Sequence, residues 1–379
     1  MLYPSILGDN ETGIGQKAMG EIVIVGAGIF GLACGYELLQ RGWRVTILER
    51  ETVGSGASGG VVGTLSPNVP ERWNDKKQFQ LDALLAARSY WPAVEACSGI
   101  RVGYGRIGRL IPIPDARALE HAEIRSRDAV KLWGGKAEWR ILPPNTTPGW
   151  VAPDITAYGI VEDTLAARLM PAAACAALAA CIRSLGGEII EHWPVSDVSG
   201  NEVTGPLGRK TADAVLVTAG VGSFPLLSEY FGKEFGSGVK GQAALLGGVP
   251  TRGRLSIYAD GVYVVPHVDG TIAVGSTSEN TWSDATATDE KLDELLDKAR
   301  AICPALKNAE VLSRWAGIRP RAKKPDPVLG RVPNQTSLYV ATCGFKISFG
   351  IAPAVAKAIA EIIGGNAPDI PESFLLKSA

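Results

Sequence analysis

Residues 21–50, EIVIVGAGIFGLACGYELLQRGWRVTILER, narrow the folds open to this chain more than any other stretch. The opening run of Ile and Val is too short for a membrane span and rich in β-branched residues, which predicts a buried parallel strand. Gly26, Gly28 and Gly31 follow at once in GxGxxG spacing, and Leu32, Tyr36, Leu38 and Leu39 then recur at roughly helical intervals. A second apolar strand over 44–48 ends at Glu49. Each part has a task in a dinucleotide site. Gly26 permits the tight strand-to-helix turn, Gly28 lets backbone amides approach a pyrophosphate, and Gly31 allows close helix–strand packing. The helix N-terminus offers unpaired amides and the positive end of its dipole. Glu49, 18 residues after Gly31, can accept hydrogen bonds from ribose hydroxyls. Chance glycines in a loop would not bring strand, helix, second strand and acid in this order.

The chain has 379 residues, 46% hydrophobic and 20% charged, which suits two interleaved domains with sizeable cores. With 38 basic against 39 acidic residues the net charge is −1, so no nucleic-acid or anionic-membrane footprint is visible. Six scattered cysteines without a CxxC and three histidines give no metal-ligand spacing, so no metal is expected. Buried reduced thiols in a cytoplasmic protein are the expectation, with peripheral contact at the inner membrane left open. The first twenty residues lack a signal pattern. Residues 8–20 read as a flexible polar extension, with Met19 as an alternative start. The apolar run 165–182 contains Arg168 and Pro171 and is mostly alanine, a helix packed on a sheet rather than a transmembrane span.

The Gly- and Ser-rich loop 51–67 follows the second strand, where open α/β sheets bind ligands. Its small residues let backbone amides and the hydroxyls of Ser55 and Ser58 reach a phosphate or sugar. Residues 76–97 read as an amphipathic helix, 101–113 as strands joined by glycine turns, and 116–133 as a helix. An alanine-rich helix is expected over 164–185, closed by Gly186 and Gly187. The strand in 213–220 ends in Thr218, Ala219 and Gly220, beside the expected cofactor. From 238 to 276 short β runs broken by Asp260-Gly261 and Asp269-Gly270 predict a mainly antiparallel sheet. A buried strand at 336–344 and a helix at 353–363 close the chain. The expected fold is α/β: a Rossmann-type parallel-sheet domain (21–75, 150–235 and 325–379) interleaved with an α+β, antiparallel-sheet substrate domain (76–149 and 236–324), behind a flexible extension, 1–20.

Seven blocks stand in a telling order: VGAGIFGL with Glu49, GSGASGG, VLVTAG, VKGQ, YVVPHVDGTIAVGST, WAGIRPRAKKPDPVLG and GFKISFGIAPAVAKAIA. Over nearly its whole length the chain resembles the FAD-dependent D-amino acid oxidase superfamily, in its glycine oxidase, sarcosine oxidase and D-amino acid dehydrogenase branch. The resemblance implies noncovalent FAD, since WAGIRPRAKK lacks the cysteine that sarcosine oxidases join to flavin. It places Glu49 on the adenosine ribose and Gly26, Gly28, Ile29, Phe30 and Gly31 at the pyrophosphate. Arg50, Ala57 and Ser58 would line the same cofactor, and Val195 would meet adenine through its backbone. Thr218, Ala219 and Gly220 would cover the pyrophosphate side. Gly344, Phe345, Lys346 and Ile347 would bring amides of a helix N-terminus to the flavin pyrimidine ring.

On the substrate side the resemblance implies a carboxylate clamp at Arg319 in WAGIRP, where a planar guanidinium suits bidentate binding. Tyr258 and Tyr263 resemble the tyrosine pair that lines glycine oxidase pockets. The last block departs from the family's His-x-Arg-Asn, so Lys346 replaces a second carboxylate-binding arginine, sits near the flavin, or faces solvent. Lys240 is a further candidate near flavin N5, and His267 stands where Arg or Lys is usual. The implied reaction oxidises the Cα–N bond of a small amino acid or N-substituted amino acid by hydride transfer to N5, giving an imino acid and then a keto acid. Oxygen, a quinone or an electron-transfer partner would reoxidise the flavin. A 2-hydroxy acid dehydrogenase, a subunit of an opine- or proline-type dehydrogenase and a non-catalytic FAD-binding protein are the alternatives. Homo-oligomerisation stays open.

Overall fold

A computed structural model describes residues 19–231, 235–324 and 326–376; the expected extension, up to residue 18, lies outside them. The strand Glu21–Val25 sits inside a six-stranded sheet. Arg44–Leu48 and then Glu188–Ile190 flank it on one side, and Ala214–Val217, Leu338–Thr342 and Val328–Arg331 on the other. All pairs run parallel except the last. Side chains alternate along a strand, and here both faces are covered. Ile22 and Ile24 enter a core with the helices Ile29–Gln40, Asp75–Ser98, Pro171–Ser184 and Ser348–Ile363. Val23 and Val25 enter another with a three-stranded antiparallel sheet over residues 197–211 and the helix Ser223–Phe231. That double burial is why the strand is apolar at nearly every position.

A second, eight-stranded sheet has the order Glu310–Ala322, Gly236–Gly247, Ile272–Gly275, Val262–Pro266, Ser256–Ala259, Arg109–Pro112, Ile160–Asp163, Trp139–Leu142. Only Ser256–Ala259 and Arg109–Pro112 pair in parallel. Its core gathers Leu110, Ile160, Ala244, Val264 and Val274 under the helix Glu290–Ile302. Asp260 and Gly261, at φ +45° and +80°, form a two-residue turn between Ala259 and Val262, the geometry that matches strand twist. Ile160–Asp163 lies in this sheet although the boundary at 150 groups it with the first, and Asp75–Ser98 packs on the parallel-sheet core.

Three elements start elsewhere than the sequence suggests. The last helix begins at Ser348, not 353, with Pro353 inside it. The alanine-rich helix begins at Pro171, not 164: proline lacks an N–H and is favoured at the first helical position. The preceding Ala167–Arg168 pairs with Thr64–Leu65 instead. Within 101–113 only Arg109–Pro112 is a strand. No helix among the described residues is long and apolar enough to cross a membrane. The six cysteines are unpaired, five buried and Cys97 exposed.

Candidate active site

The turn after Val25 is built around missing side chains. Gly26 takes φ +105°, and a Cβ there would lie 2.8 Å from Ala219 Cα. A Cβ on Gly31 would meet Gly26 O at 2.0 Å and Thr218 Oγ1 at 2.6 Å. Thr218 Oγ1 donates to Val25 O and Gly26 O, 3.0 Å each, closing the turn from the neighbouring strand. Gly28 is the N-cap of Ile29–Gln40 and has no side chain to cap the first amides. Ser58, in the short turn Ala57–Gly59, accepts from Ile29 N at 3.0 Å. Glu49 Oε2 accepts from Ala27 N at 2.7 Å, and Trp193 N donates to Glu49 O at 2.8 Å, which draws the segment carrying half-buried Val195 alongside. Gly220 follows in the next loop, its carbonyl accepting from Thr342 Oγ1 at 3.2 Å. The Arg50 side chain is 73% exposed and faces Glu51 at 3.3 Å.

The last block closes the same region. A Cβ on Gly344 would come 2.5 Å from the Phe30 ring, so the first and last long helices meet through that aromatic. Cys343 and Phe345 on either side take left-handed φ values of +63° and +46°, which non-glycine residues seldom adopt. The turn Phe345–Ile347 then leads into Ser348–Ile363.

Arg319 is 8% exposed. Its Nη2 donates to Ser276 Oγ at 3.0 Å and Thr277 O at 2.9 Å, while Nη1 is buried without a partner. Gly241, in VKGQ, makes room: a Cβ there would lie 1.4 Å from Arg319 Nη2. Burial pulls the guanidinium down to about 10, with the charge of Glu279 opposing, so it stays charged at neutral pH. Arg319 Cζ and Lys346 Nζ lie 6.0 Å and 5.6 Å from the Phe345 ring centroid. Ser276, Lys346, Ile347, Tyr258 and Tyr263 line one cleft of ≈ 240 Å³ with Pro67, Asn68 and Gln80. The tyrosines are cross-strand neighbours with ring centroids 4.5 Å apart.

Two sequence candidates are accounted for differently. Lys240 is buried with Nζ 3.7 Å from Asp289 Oδ2, an internal ion pair. His267 Nε2 lies 3.0 Å from Val61 O, and burial pushes its pKa down; this neutral core imidazole braces the glycine-rich loop. Sequence reading missed Arg109 and Asp163. Arg109 Nη2 donates to Asp163 Oδ2 at 2.8 Å with both side chains buried. Their only signal is a charge at each end of the apolar runs RLIP and IVED.

A family model described as FAD dependent oxidoreductase matches residues 21–362. The chain belongs to this DAO family of FAD-dependent oxidoreductases, and FAD is its cofactor. Within that class it is similar to the glycine oxidase of Bacillus licheniformis, 26% identical over 354 residues covering 91% of this chain and 93% of that one. Glycine oxidase from Geobacillus kaustophilus superposes with a TM-score of 0.85 at 22% identity, covering 95% of this chain and 99% of that one. Iminodiacetate oxidase from Chelativorans does so at 0.83 and 23%, covering 93% and 98%; at such identities these likenesses bear on fold.

The residues present fit FAD. A Cβ would fill the cradle at Gly26 and Gly31, Gly28 leaves the helix N-terminus open, and Glu49 stands at the strand end. Glu49→Ala is expected to weaken FAD binding by about tenfold, the order of one hydrogen bond to a charged group, read as flavin per protein after gel filtration. Unchanged flavin content would rule out a ribose role.

Proposed function

We propose that this protein oxidises the Cα–N bond of a small amino acid or N-substituted amino acid whose carboxylate is held by Arg319. One observation carries the reading: a nearly buried guanidinium keeps Nη1 without a partner while its Nη2 bonds Ser276, a residue of the cleft lining. A buried cation with an unpartnered arm and no direct ion pair calls for an anion, and a planar carboxylate is its geometric match. The glycine oxidase relatives support an amine as the group oxidised. Noncovalently bound FAD supplies the two-electron acceptor. The chain's own residues supply orientation: Arg319 holds the carboxylate, the stacked Tyr258 and Tyr263 wall one side, and Lys346 adds positive potential. The cleft lining contains no carboxylate or imidazole, so these residues offer positioning rather than a strong base. A cytoplasmic setting, with six unpaired thiols, is part of the same proposal.

The test is the absorbance spectrum of the purified protein under anaerobic conditions, before and after D-, L- and N-methyl amino acids. Bleaching of the oxidised flavin by particular amines is expected. A flavin that stays oxidised with every amine but bleaches with 2-hydroxy acids would overturn the reading.

Lys346 gives a pH signature. Partial desolvation and then the charge of Arg319 lower its pKa. Its ammonium is therefore lost, as pH rises, earlier than that of an ordinary lysine. Acetate binding to the FAD-loaded protein, followed by flavin absorbance, should weaken on the alkaline side. Lys346→Met should make that fall shallower, and an identical slope would remove Lys346 from the site.

A further inference from the structure

Below the cleft floor lies a buried ion pair that the proposed reaction does not use. Arg109 is 4% exposed and Asp163 is 0% exposed. Asp163 is anchored by three groups: Arg109 Nη2, and through Oδ1 the amides of Leu165 at 2.9 Å and Ala166 at 3.2 Å. Burial raises the Asp163 pKa, and the Arg109 charge with those amides opposes the rise. The other arm of Arg109 is directed at the cleft wall. Its Nη1 donates to Tyr263 Oη at 3.2 Å, its Cζ lies 5.7 Å from the Tyr258 ring centroid, and Nη2 reaches Pro67 O at 3.4 Å. Pro67, Tyr258 and Tyr263 all line the cleft.

Guanidinium can only donate. Tyr263 Oη must therefore accept from Arg109, and its own proton cannot point back. Among the described residues that hydroxyl has no acceptor of its own. A phenol fixed in this way presents its O–H to whatever fills the cleft. The tilted tyrosine pair is held with it, since Arg109 bonds the Tyr263 hydroxyl and sets its charge over the Tyr258 ring. Asp163 neutralises the buried guanidinium through Nη2, so Nη1 stays available for Tyr263.

We propose that Arg109, neutralised by Asp163, is a positioning residue that turns the Tyr263 hydroxyl into a hydrogen-bond donor for the substrate carboxylate. The inference rests on the proposed amino acid site. Arg109→Lys is the informative variant: a lysine keeps a charge for Asp163 but has no second arm for Tyr263. Should it not yield folded, FAD-loaded protein, the neutral pair Arg109→Gln with Asp163→Asn replaces it.

Acetate is titrated into the FAD-loaded protein and followed by flavin absorbance. Arg109→Lys and Tyr263→Phe should each weaken acetate by about tenfold, the order of one charge-assisted hydrogen bond. The double variant should be no worse than either single one, because Arg109 acts through Tyr263. With an amine substrate the same variants should raise KM more than they lower kcat. Wild-type affinity in Arg109→Lys, or effects that multiply in the double variant, would overturn the proposal while leaving the carboxylate site standing. Acetate that does not bind the wild-type protein at all would bring down the site and this inference together.

Discussion

Arg319→Ala is expected to cut kcat/KM for the amino acid by two to three decades, with KM rising and kcat falling together. Removing one partner of a buried, hydrogen-bonded charge pair costs about 2–5 kcal/mol, and at ~1.4 kcal/mol per decade that is roughly 1.5 to 3.5 decades, which brackets the stated loss. The loss reaches kcat as well because a carboxylate that is no longer anchored lets the Cα–H wander from its reactive position. Gly241→Ala provides a second route to the same deficit. Its Cβ would stand 1.4 Å from Arg319 Nη2, so the guanidinium must leave its seat on Ser276 and Thr277 although its charge remains. Steady-state kinetics and flavin content on both variants decide the matter. Full FAD loading with unchanged amine turnover in Arg319→Ala would eliminate the clamp.

The second large effect separates two glycines that a motif treats alike. Gly31→Ala is expected to destabilise the protein by about 3 kcal/mol or more, since an added methyl group would overlap a backbone carbonyl that cannot swing aside. The offending atoms are Gly26 O at 2.0 Å and Thr218 Oγ1 at 2.6 Å. At Gly28 the nearest atom is Ser58 Oγ at 3.2 Å, the end of a small rotatable side chain. Gly28→Ala should therefore fold with little change in melting temperature yet retain much less FAD, because the methyl group intrudes where the phosphates approach. Thermal melts of the stripped protein, paired with flavin content, test both. A Gly31→Ala protein that melts with the wild type would contradict the packing argument.

What could be read from the sequence was what is local. Strand, glycine turn, helix and Glu49 lie within thirty residues, and each is specified by its neighbours' size and periodicity. Arg319 was legible as a cation in a recognisable block. Its seat was not, because Ser276 lies 43 residues away and joins it only through the register of Gly236–Gly247 between its neighbours. Arg109 and Asp163 were harder. A charge at the edge of an alternating strand ordinarily marks a solvent face, and only the pairing of Arg109 with Asp163 across antiparallel strands buries both. For Lys240 the sequence showed a lysine near a cofactor block but not its ion pair with Asp289, far along the chain. Pro171 marks a favoured first helical position, although Pro92 and Pro353 lie inside their helices.

The closure of the glycine turn by Thr218 carries a consequence for how the protein is made. Gly26 and Thr218 are 192 residues apart, which at ~5–20 residues per second is roughly 10–40 s of translation. Throughout that interval the strand Glu21–Val25 has emerged without its neighbour Ala214–Val217. A nascent chain shorter than about 220 residues thus presents an unpaired apolar edge to the cell and has no finished cradle for FAD. Cofactor capture must wait until Thr218 has emerged, and earlier termination products would be substrates for chaperones and proteases rather than partial flavoproteins.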